Sequence, residues 1–286
     1  MKKQNHARWM LCGSMAVFGT LGLFTRNISV SSGELALYRA VMAAILVGGY
    51  LLISGQKIPV SAMKKELPLL LISGAAMGIN WILLFEAYRY TTISAATLSY
   101  YFAPVLVTVV CPIIFREKMT AKQVICFVMS TIGLVLIIGV GELSGGADLT
   151  GIAFGLGAAV FYASVVLLNK FIRNIAGLHR TLLQFLAAIV VLIPYVAFTG
   201  GCSLGALDGA GWGCLLTVGL IHTGIAYCLY FSALKDLPGQ EAAILSYIDP
   251  LVAVVLSVVV LGEPMTLGQL LGGILVLGFT VCNEIK

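Results

Sequence analysis

The chain has 286 residues, 60% of them hydrophobic and 10% charged, with a mean hydropathy of +1.04. A water-soluble domain carries roughly 25% charged residues, so this much apolar surface requires lipid as its solvent and excludes a soluble enzyme or binding module. The formal net charge of +5 does not point to nucleic acid, because Lys and Arg sit between apolar runs rather than on one basic face.

The N-terminal MKKQNHARWM is basic, like the start of a signal peptide. No A-x-A cleavage site follows it, and many more apolar runs do, so it reads as the entry to a retained first helix. A spanning helix needs about 20 mostly apolar residues. Ten such spans are predicted, at 9–27, 33–54, 67–88, 92–113, 121–140, 149–171, 178–199, 210–232, 240–261 and 266–283. Linkers are short and no soluble domain is inserted. The expected fold is an all-α integral membrane protein with ten transmembrane helices, since a barrel would show alternating strands of about ten residues. Cys12, Cys111, Cys126, Cys202, Cys214, Cys228 and Cys282 make no CxxC pair and no zinc spacing. They read as small apolar packers, and neither metal nor cofactor is expected.

Positive charge orients the spans. With the N-terminus in the cytoplasm, Lys2, Lys3, Arg8, Lys57, Lys64, Lys65, Arg116, Lys118, Lys122, Lys170, Arg173, Arg180, Lys235 and Lys286 fall inside. Only Arg26 and Arg89 fall outside, and Arg39 lies within span 2. That bias predicts cytoplasmic N and C termini, and it supports the count, because one missed span would scramble the alternation.

The chain is written twice. A shift of 146 residues lays Pro104 on Pro250, Phe85 on Phe231, Ala87 on Ala233, Trp81 on Tyr227 and Gly78 on Gly224. It also lays Glu117 on Glu263, Met119-Thr120 on Met265-Thr266 and Gln123 on Gln269, while the AVF at 16–18 meets the AVF at 159–161 at a slightly smaller shift. The expected units are 1–142, holding spans 1–5, and 143–286, holding spans 6–10. Five is odd, so the second unit enters the membrane from the opposite side. Inverted-topology repeats are characteristic of secondary transporters, whose site lies near the midplane between the repeats and opens alternately to each side.

AAILVGGYLL after Arg39, FEAYRYTTISAATLSYYFAPVLVTVVCPIIFREKMT at 85–120 and its echo YFSALKDLPGQEAAILSYIDPLVAVVLSVVVLGEPMT at 230–266 carry a family likeness. With them the whole chain resembles the drug/metabolite transporter superfamily, specifically its EamA-type ten-helix proteins. The resemblance implies a transporter of small organic solutes, often an exporter. It does not select among amino acids, nucleotide-like metabolites, choline, sugars and drugs.

Several phrases carry physical content of their own. Thr120 to Gln123 and Thr266 to Gln269 fit the T-x-x-Q capping box at the starts of spans 5 and 10. Glu117 and Glu263 sit just before those helix starts, where negative charge is favoured. Neither is read as a solute ligand. Pro104 and Pro250 lie mid-span; each removes a backbone donor and frees the carbonyl four residues earlier, so they are hinge or kink candidates. Tyr100, Tyr101 and Tyr247 then offer ring faces and hydroxyls near the midplane. Asp249, absent from the first copy, is an acid near the bilayer centre and so a proton carrier, a cation ligand or a structural hydrogen-bonding group.

Arg39 either binds a solute carboxylate in bidentate fashion or pairs with a protein acid such as Glu86 or Glu34. Glu86 is a second proton-coupling candidate, with an i,i+3 pair to Arg89 as the plainer alternative. Asn80 and Trp81, with Tyr227 as the counterpart of Trp81, suit a midplane pocket or simple core packing. His222, the one histidine well inside a span, either lines the pocket and relays protons or is a hydrogen-bonded core residue. The candidate binding set is thus Arg39, Asn80, Trp81, Glu86, Tyr100, Tyr101, His222, Tyr227, Tyr247 and Asp249. Small-xxx-small pairs at Gly74–Gly78, Gly151–Gly155, Gly209–Gly213 and Gly268–Gly272 allow close helix contact.

The leading expectation is an alternating-access secondary transporter of a small solute such as an amino acid, in the cytoplasmic membrane. Export and proton coupling stay open. A passive channel or facilitator is the alternative; a membrane-embedded enzyme is a third class, without HExxH, GxSxG or a phosphate-cradling loop to support it. The expected partners are a small-molecule substrate and the lipid bilayer, with no nucleic acid. One chain is enough to build the cavity, and a homodimer is compatible with it.

Overall fold

The computed structural model describes residues 2–55, 60–115, 120–138, 146–172, 174–175, 177–234, 236–237 and 245–285. Glu117, Met119, the expected boundary at 142–143, the start of span 9 at 240–244, and Lys57, Arg116, Lys118, Arg173, Lys235 and Lys286 lie outside the described residues. Among the described residues every regular element is helical. The first half holds α1 (Lys2–Gly19), α2 (Leu21–Thr25), α3 (Ser32–Ile53), α4 (Val60–Tyr90), α5 (Ile93–Tyr100), α6 (Ala103–Phe115) and α7 (Ala121–Ile138). The second holds α8 (Gly146–Phe171), α9 (Gly177–Thr199), α10 (Gly209–Leu216), a π-helical stretch (Thr217–Ile225), α11 (Ala226–Leu234), α12 (Ile248–Val259) and α13 (Leu267–Glu284).

Among the described residues seven helical stretches are long and apolar enough to cross a membrane: Gln4–Thr25, Ser32–Ile53, Lys64–Tyr90, Ile93–Val110, Asp148–Phe171, Gly177–Thr199 and Gly209–Ala233. Three shorter apolar helices accompany them, Ala121–Ile137, Ile248–Val259 and Leu267–Asn283. Large apolar side chains such as Ile45, Leu52, Val190, Phe198 and Val259 are exposed. On a multi-pass membrane protein they face acyl chains, where exposure carries no penalty.

Short polar side chains start the helices. Ser31 and Glu34 form a capping box on α3, Thr92 accepts from Ala95 N on α5, and Asp208 accepts from Gly211 N on α10. Both T-x-x-Q boxes form as expected: Thr120 with Gln123, and Thr266 with Gln269. The mid-span prolines do more than kink. Span 4 is divided at Tyr101–Phe102 into α5 and α6, with Pro104 in the first turn of α6. Pro250 likewise sits in the first turn of α12, after a turn at Tyr247. A proline in a first turn loses no helical bond, so the chain restarts the helix instead of straining it.

The packing partners are regular. α4 lies against α8 and α9, and α3 lies against α9 and the π stretch. α1 lies against α11 and α12, α5 against α8 and α12, and α7 against α13. Ala36, Ala40, Ala43 and Val47 of α3 and Phe185, Ala188 and Leu192 of α9 belong to the central core. α7 and α13 approach at glycines: a Cβ on Gly133 would lie 2.7 Å from the Gly272 carbonyl oxygen, and one on Gly268 2.9 Å from the Leu136 oxygen. Of the small-xxx-small pairs, Gly74–Gly78, Gly151–Gly155 and Gly268–Gly272 face a neighbouring element, whereas Gly209 and Gly213 meet nothing within 4 Å.

Glu263 departs from its sequence reading. It serves a helix of the other half, not the start of α13. Gly262, at φ +65, turns the chain after α12, and Glu263 then points inward, where it is buried. Its Oε2 accepts from Ile93 N at 2.8 Å, at the N-terminus of α5, and from Ser257 Oγ. Arg26, just beyond α2, completes an ion pair with it and also reaches the Thr91 carbonyl. Thr91 in turn donates to Asp148 at 2.8 Å. One carboxylate therefore ties α2, α5 and the α12–α13 turn together at one end of the bundle.

Gly133→Ala should lower thermal stability in detergent by about 1–3 kcal/mol through forced separation of α7 and α13. Gly278→Ala, on the same α13 but with nothing within 4 Å, should be neutral or slightly stabilising. Equal melting temperatures for the two variants would refute the close-approach account.

Candidate functional site

Arg39 is the deepest charge described, 3% exposed, and it projects from the alanine-rich face of α3. Its guanidinium carbon lies 4.6 Å from the Trp81 ring centroid and 5.3 Å from that of Phe85. This is a stacked cation–π arrangement on α4. Arg39 Nε donates to Thr223 Oγ1 at 3.0 Å. Thr223 passes its own hydrogen to the Val218 carbonyl, five residues back, at 2.8 Å. The widened turn of the π stretch leaves that carbonyl within reach of the hydroxyl. Among the described residues no carboxylate lies within ion-pair distance of Arg39, and Thr223 is its one hydrogen-bond partner.

The acids proposed as partners for Arg39 are engaged elsewhere. Glu34 accepts from Ser31 N, Ser203 N and Ser203 Oγ, and shares the single Tyr38 hydroxyl hydrogen with Cys202 Sγ. Glu86 pairs with Arg89 at 3.3 Å, the plain i,i+3 contact. Asn80 spends its amide on the Ala158 carbonyl at 2.7 Å, so it ties α4 to α8.

Asp249 lies at the start of α12 and accepts from Tyr101 OH at 2.6 Å. No cation pairs with it among the described residues. The Tyr101 ring stands 5.6 Å from Tyr100 and 6.3 Å from Tyr247, and Tyr100 stands 5.4 Å from Tyr162 on α8. On the other side, Phe185 bridges Trp81 at 5.7 Å and Tyr227 at 5.4 Å, and Phe18 meets Tyr227 at 5.2 Å. Tyr88, Tyr100 and Tyr227 lie within electrostatic reach of both Arg39 and Asp249. A cation and an acid thus face one set of tyrosines without touching each other.

The structure brings Arg39, Trp81, Tyr227, Tyr100, Tyr101, Tyr247 and Asp249 into one aromatic-walled region, with contributions from both halves. His222 borders it with both ring nitrogens engaged, by Thr20 and by the Thr217 carbonyl. Asn80 is committed to a helix contact and Glu86 to Arg89. Thr223, Tyr88, Tyr162 and Phe185 were not singled out from sequence; a threonine or aromatic inside an apolar run gives no signal until its neighbours are known. A separate apolar groove of about 390 Å³ lies between α5, α12 and α13, lined by Leu98, Tyr247, Leu251, Gln269 and Gly273 among others.

The EamA-like transporter family matches residues 7–139 and, a second time, residues 149–283. The chain belongs to the EamA-like transporter family. It is similar to the uncharacterized transporter YxxF of Bacillus subtilis (strain 168), with 32% identity over 92% of this chain and 84% of that protein. An uncharacterized transporter of Archaeoglobus fulgidus is 27% identical over 92% of this chain and 91% of its own length. A protein of known crystal structure shares the fold, with a TM-score of 0.69 at 16% identity over 97% of this chain and 96% of that one. The Bacillus subtilis and Archaeoglobus fulgidus relatives are both named as transporters.

A buried guanidinium without a counter-ion does not help an EamA-like protein fold. Arg39→Met should therefore leave thermal stability unchanged within about 1 kcal/mol, or raise it. Glu263→Ala should cost about 3 kcal/mol, because Ile93 N–H, Ser257 and Arg26 all lose their acceptor. Differential scanning fluorimetry of the two variants checks this order; a larger loss for Arg39→Met would mark Arg39 as a structural group.

Proposed function

We propose that the protein is a secondary transporter that moves a small amphipathic or zwitterionic solute, such as an amino acid, across the cytoplasmic membrane by alternating access. The observation that carries this reading is Arg39: a buried cation with no carboxylate partner among the described residues, held between the halves by Thr223 and facing Asp249 across tyrosines. In lipid such a charge is costly, and a bound anionic group would supply the missing partner. Asp249 would receive the solute's cationic end, and the rings of Trp81, Tyr100, Tyr101, Tyr227 and Tyr247 would cover its apolar part.

The proposed architecture has ten spans in two inverted units, 1–142 and 143–286, with both termini in the cytoplasm. The three shorter apolar helices count as spans in this reading. The packing supports it. Exchanging each span for its counterpart five places on turns α4 with α8 into α11 with α1, α3 with the π stretch into α9 with α4, and α5 with α8 into α12 with α1. The pairs α3 with α9, α5 with α12 and α7 with α13 map onto themselves. The double family match at 7–139 and 149–283 has the same period. Breaks at Pro104 and Pro250 put irregular backbone at matched places beside the aromatic region, as expected where helices line a cavity.

Solute counterflow in proteoliposomes, with a pooled panel of amino acids, amines and nucleosides, tests the function. Wild type should exchange at least one solute. Arg39→Met and Asp249→Asn should each reduce that exchange by about 100-fold, the loss of one charge-assisted contact. Exchange by both variants at the wild-type rate would sink the site assignment, and conductance without counterflow would favour a channel. Orientation is tested at Cys202, which is exposed in the loop after α9. The Tyr38 hydroxyl and Leu204 N–H hold this thiol below its ordinary pKa, which favours the reactive thiolate. With the other cysteines replaced, a membrane-impermeant maleimide should label Cys202 on intact cells, and Tyr38→Phe should slow the labelling. Labelling only after lysis would reverse the topology.

A further inference from the structure

The hydrogens around His222 can be arranged in two ways. The Thr217 carbonyl, 3.2 Å from Nδ1, can only accept, so Nδ1 carries a hydrogen. Nε2 lies 2.7 Å from Thr20 Oγ1. That hydroxyl has one hydrogen and a second acceptor, the Val17 carbonyl at 2.8 Å. Beside a neutral imidazole the hydroxyl turns to Nε2 and gives up Val17. Beside an imidazolium, Nε2–H donates to Thr20 and the hydroxyl donates to Val17, so every hydrogen finds an acceptor. The two states differ by one proton and one hydroxyl rotation, with no movement of ring or helix.

The placement gives this a use. His222 is 2% exposed and lies in the π stretch, next to Thr223, which anchors Arg39. π-Helical turns recur at functional sites. The Thr20 bond crosses from the first half of the chain to the second. Of the elements packed on this stretch, α3 brings the facing charge, Arg39, while the oxygens of Glu34 on α3 are taken by Ser31, Tyr38 and Ser203. Thr20 and Phe24, from the α1–α2 region, do not titrate. α10 and α11 carry no Asp, Glu, Lys, Arg or His; their titratable groups are Cys214, Cys228, Tyr227 and Tyr230.

We propose that His222 holds the coupled proton, loaded when an anionic group of the solute occupies Arg39. This rests on the transporter reading above. A bare guanidinium and an imidazolium repel each other; an anion on Arg39 cancels that repulsion, so solute and proton assist each other's binding. The proposal places the coupling proton on His222, while Asp249 keeps the solute's cationic end and Glu86 its pair with Arg89.

Two measurements test it. The first is imidazole nitrogen NMR of the wild-type protein in detergent, where His6 and His179 give the other signals and His222→Gln supplies the assignment. In Arg39→Met, where the repelling charge is gone, Nε2 of His222 should hold its proton to a higher pH than in wild type while Nδ1 keeps its own. The same protonation state of His222 in both proteins from about pH 8 to about pH 5.5 overturns the proposal, whatever is transported. The second compares accumulation driven by an imposed pH gradient with counterflow of the pooled panel. In His222→Gln and Thr20→Val the ratio of the two should fall about tenfold, and Thr20→Ser should restore it. Gradient-driven accumulation that survives in His222→Gln but not in Asp249→Asn overturns the proposal and leaves the transporter standing. A titrating His222 with no exchange of any solute by wild type overturns the transporter reading itself, and this one with it.

Discussion

A guanidinium held in the middle of an apolar bundle without an acid is the constraint around which this protein is arranged. Arg39 carries a guanidinium, a group that stays charged in proteins. It must be solvated by what surrounds it. The protein supplies a hydroxyl at 3.0 Å, two aromatic faces and the dipoles of nearby tyrosines, and no carboxylate among the described residues. That is partial solvation. Glu34, five residues away on the same helix, shows the opposite treatment, with four hydrogen-bond donors on its carboxylate. The acid has several donors within the fold, and the cation has one hydrogen-bond acceptor among the described residues.

The same division runs through the bundle. Glu263 and Arg26 close one end by joining a turn of the second half to α2 and to the N-terminus of α5. If the halves rock, these are bonds that must break on one stroke and reform on the next, so their strength bears on which state is populated. The glycine contact between α7 and α13 involves backbone against backbone and is poorly suited to such cycling. α7 and α13 thus form a close backbone seam, whereas α3 and the π stretch combine glycine contacts at Gly219 and Gly224 with the Arg39–Thr223 hydrogen bond.

How much of this could be read from the sequence differs by level. The helical character, the capping boxes at Thr120 and Thr266 and the Glu86–Arg89 pair are set by local spacing, and local spacing is visible in a string of residues. Prolines 104 and 250 were legible as interruptions, but not as helix restarts, because that depends on where neighbouring turns find their acceptors. Glu263 misled for a related reason. Its position before α13 suggested service to that helix, while Gly262 turns it towards α5, 170 residues earlier in the chain. Thr223 and Thr20 were silent. A threonine in an apolar run satisfies its own hydroxyl on the preceding turn, and only the fold shows that Arg39 or His222 lies on its other side.

The asymmetry between the halves follows from the chemistry, not from the scaffold. Tyr101 and Tyr247 occupy the same place in the two halves, three residues before their prolines, and their rings lie 6.3 Å apart. Asp249 has Ala103 as its counterpart at the shift that aligns the prolines, and Arg39, at a shift of 145, has Gln184, whose amide reaches Ser73 and Asn169. Duplicating the acid would place two carboxylates near one tyrosine cluster, and duplicating the arginine would place two bare cations in one core; like charges at such range disfavour each other strongly. A site that accepts a solute with one anionic and one cationic end needs one charge of each sign. Two copies of a unit can build that only if each copy carries a charge the other lacks. Arg39 in the first half and Asp249 in the second supply one charge of each sign, as the proposed zwitterionic solute would require.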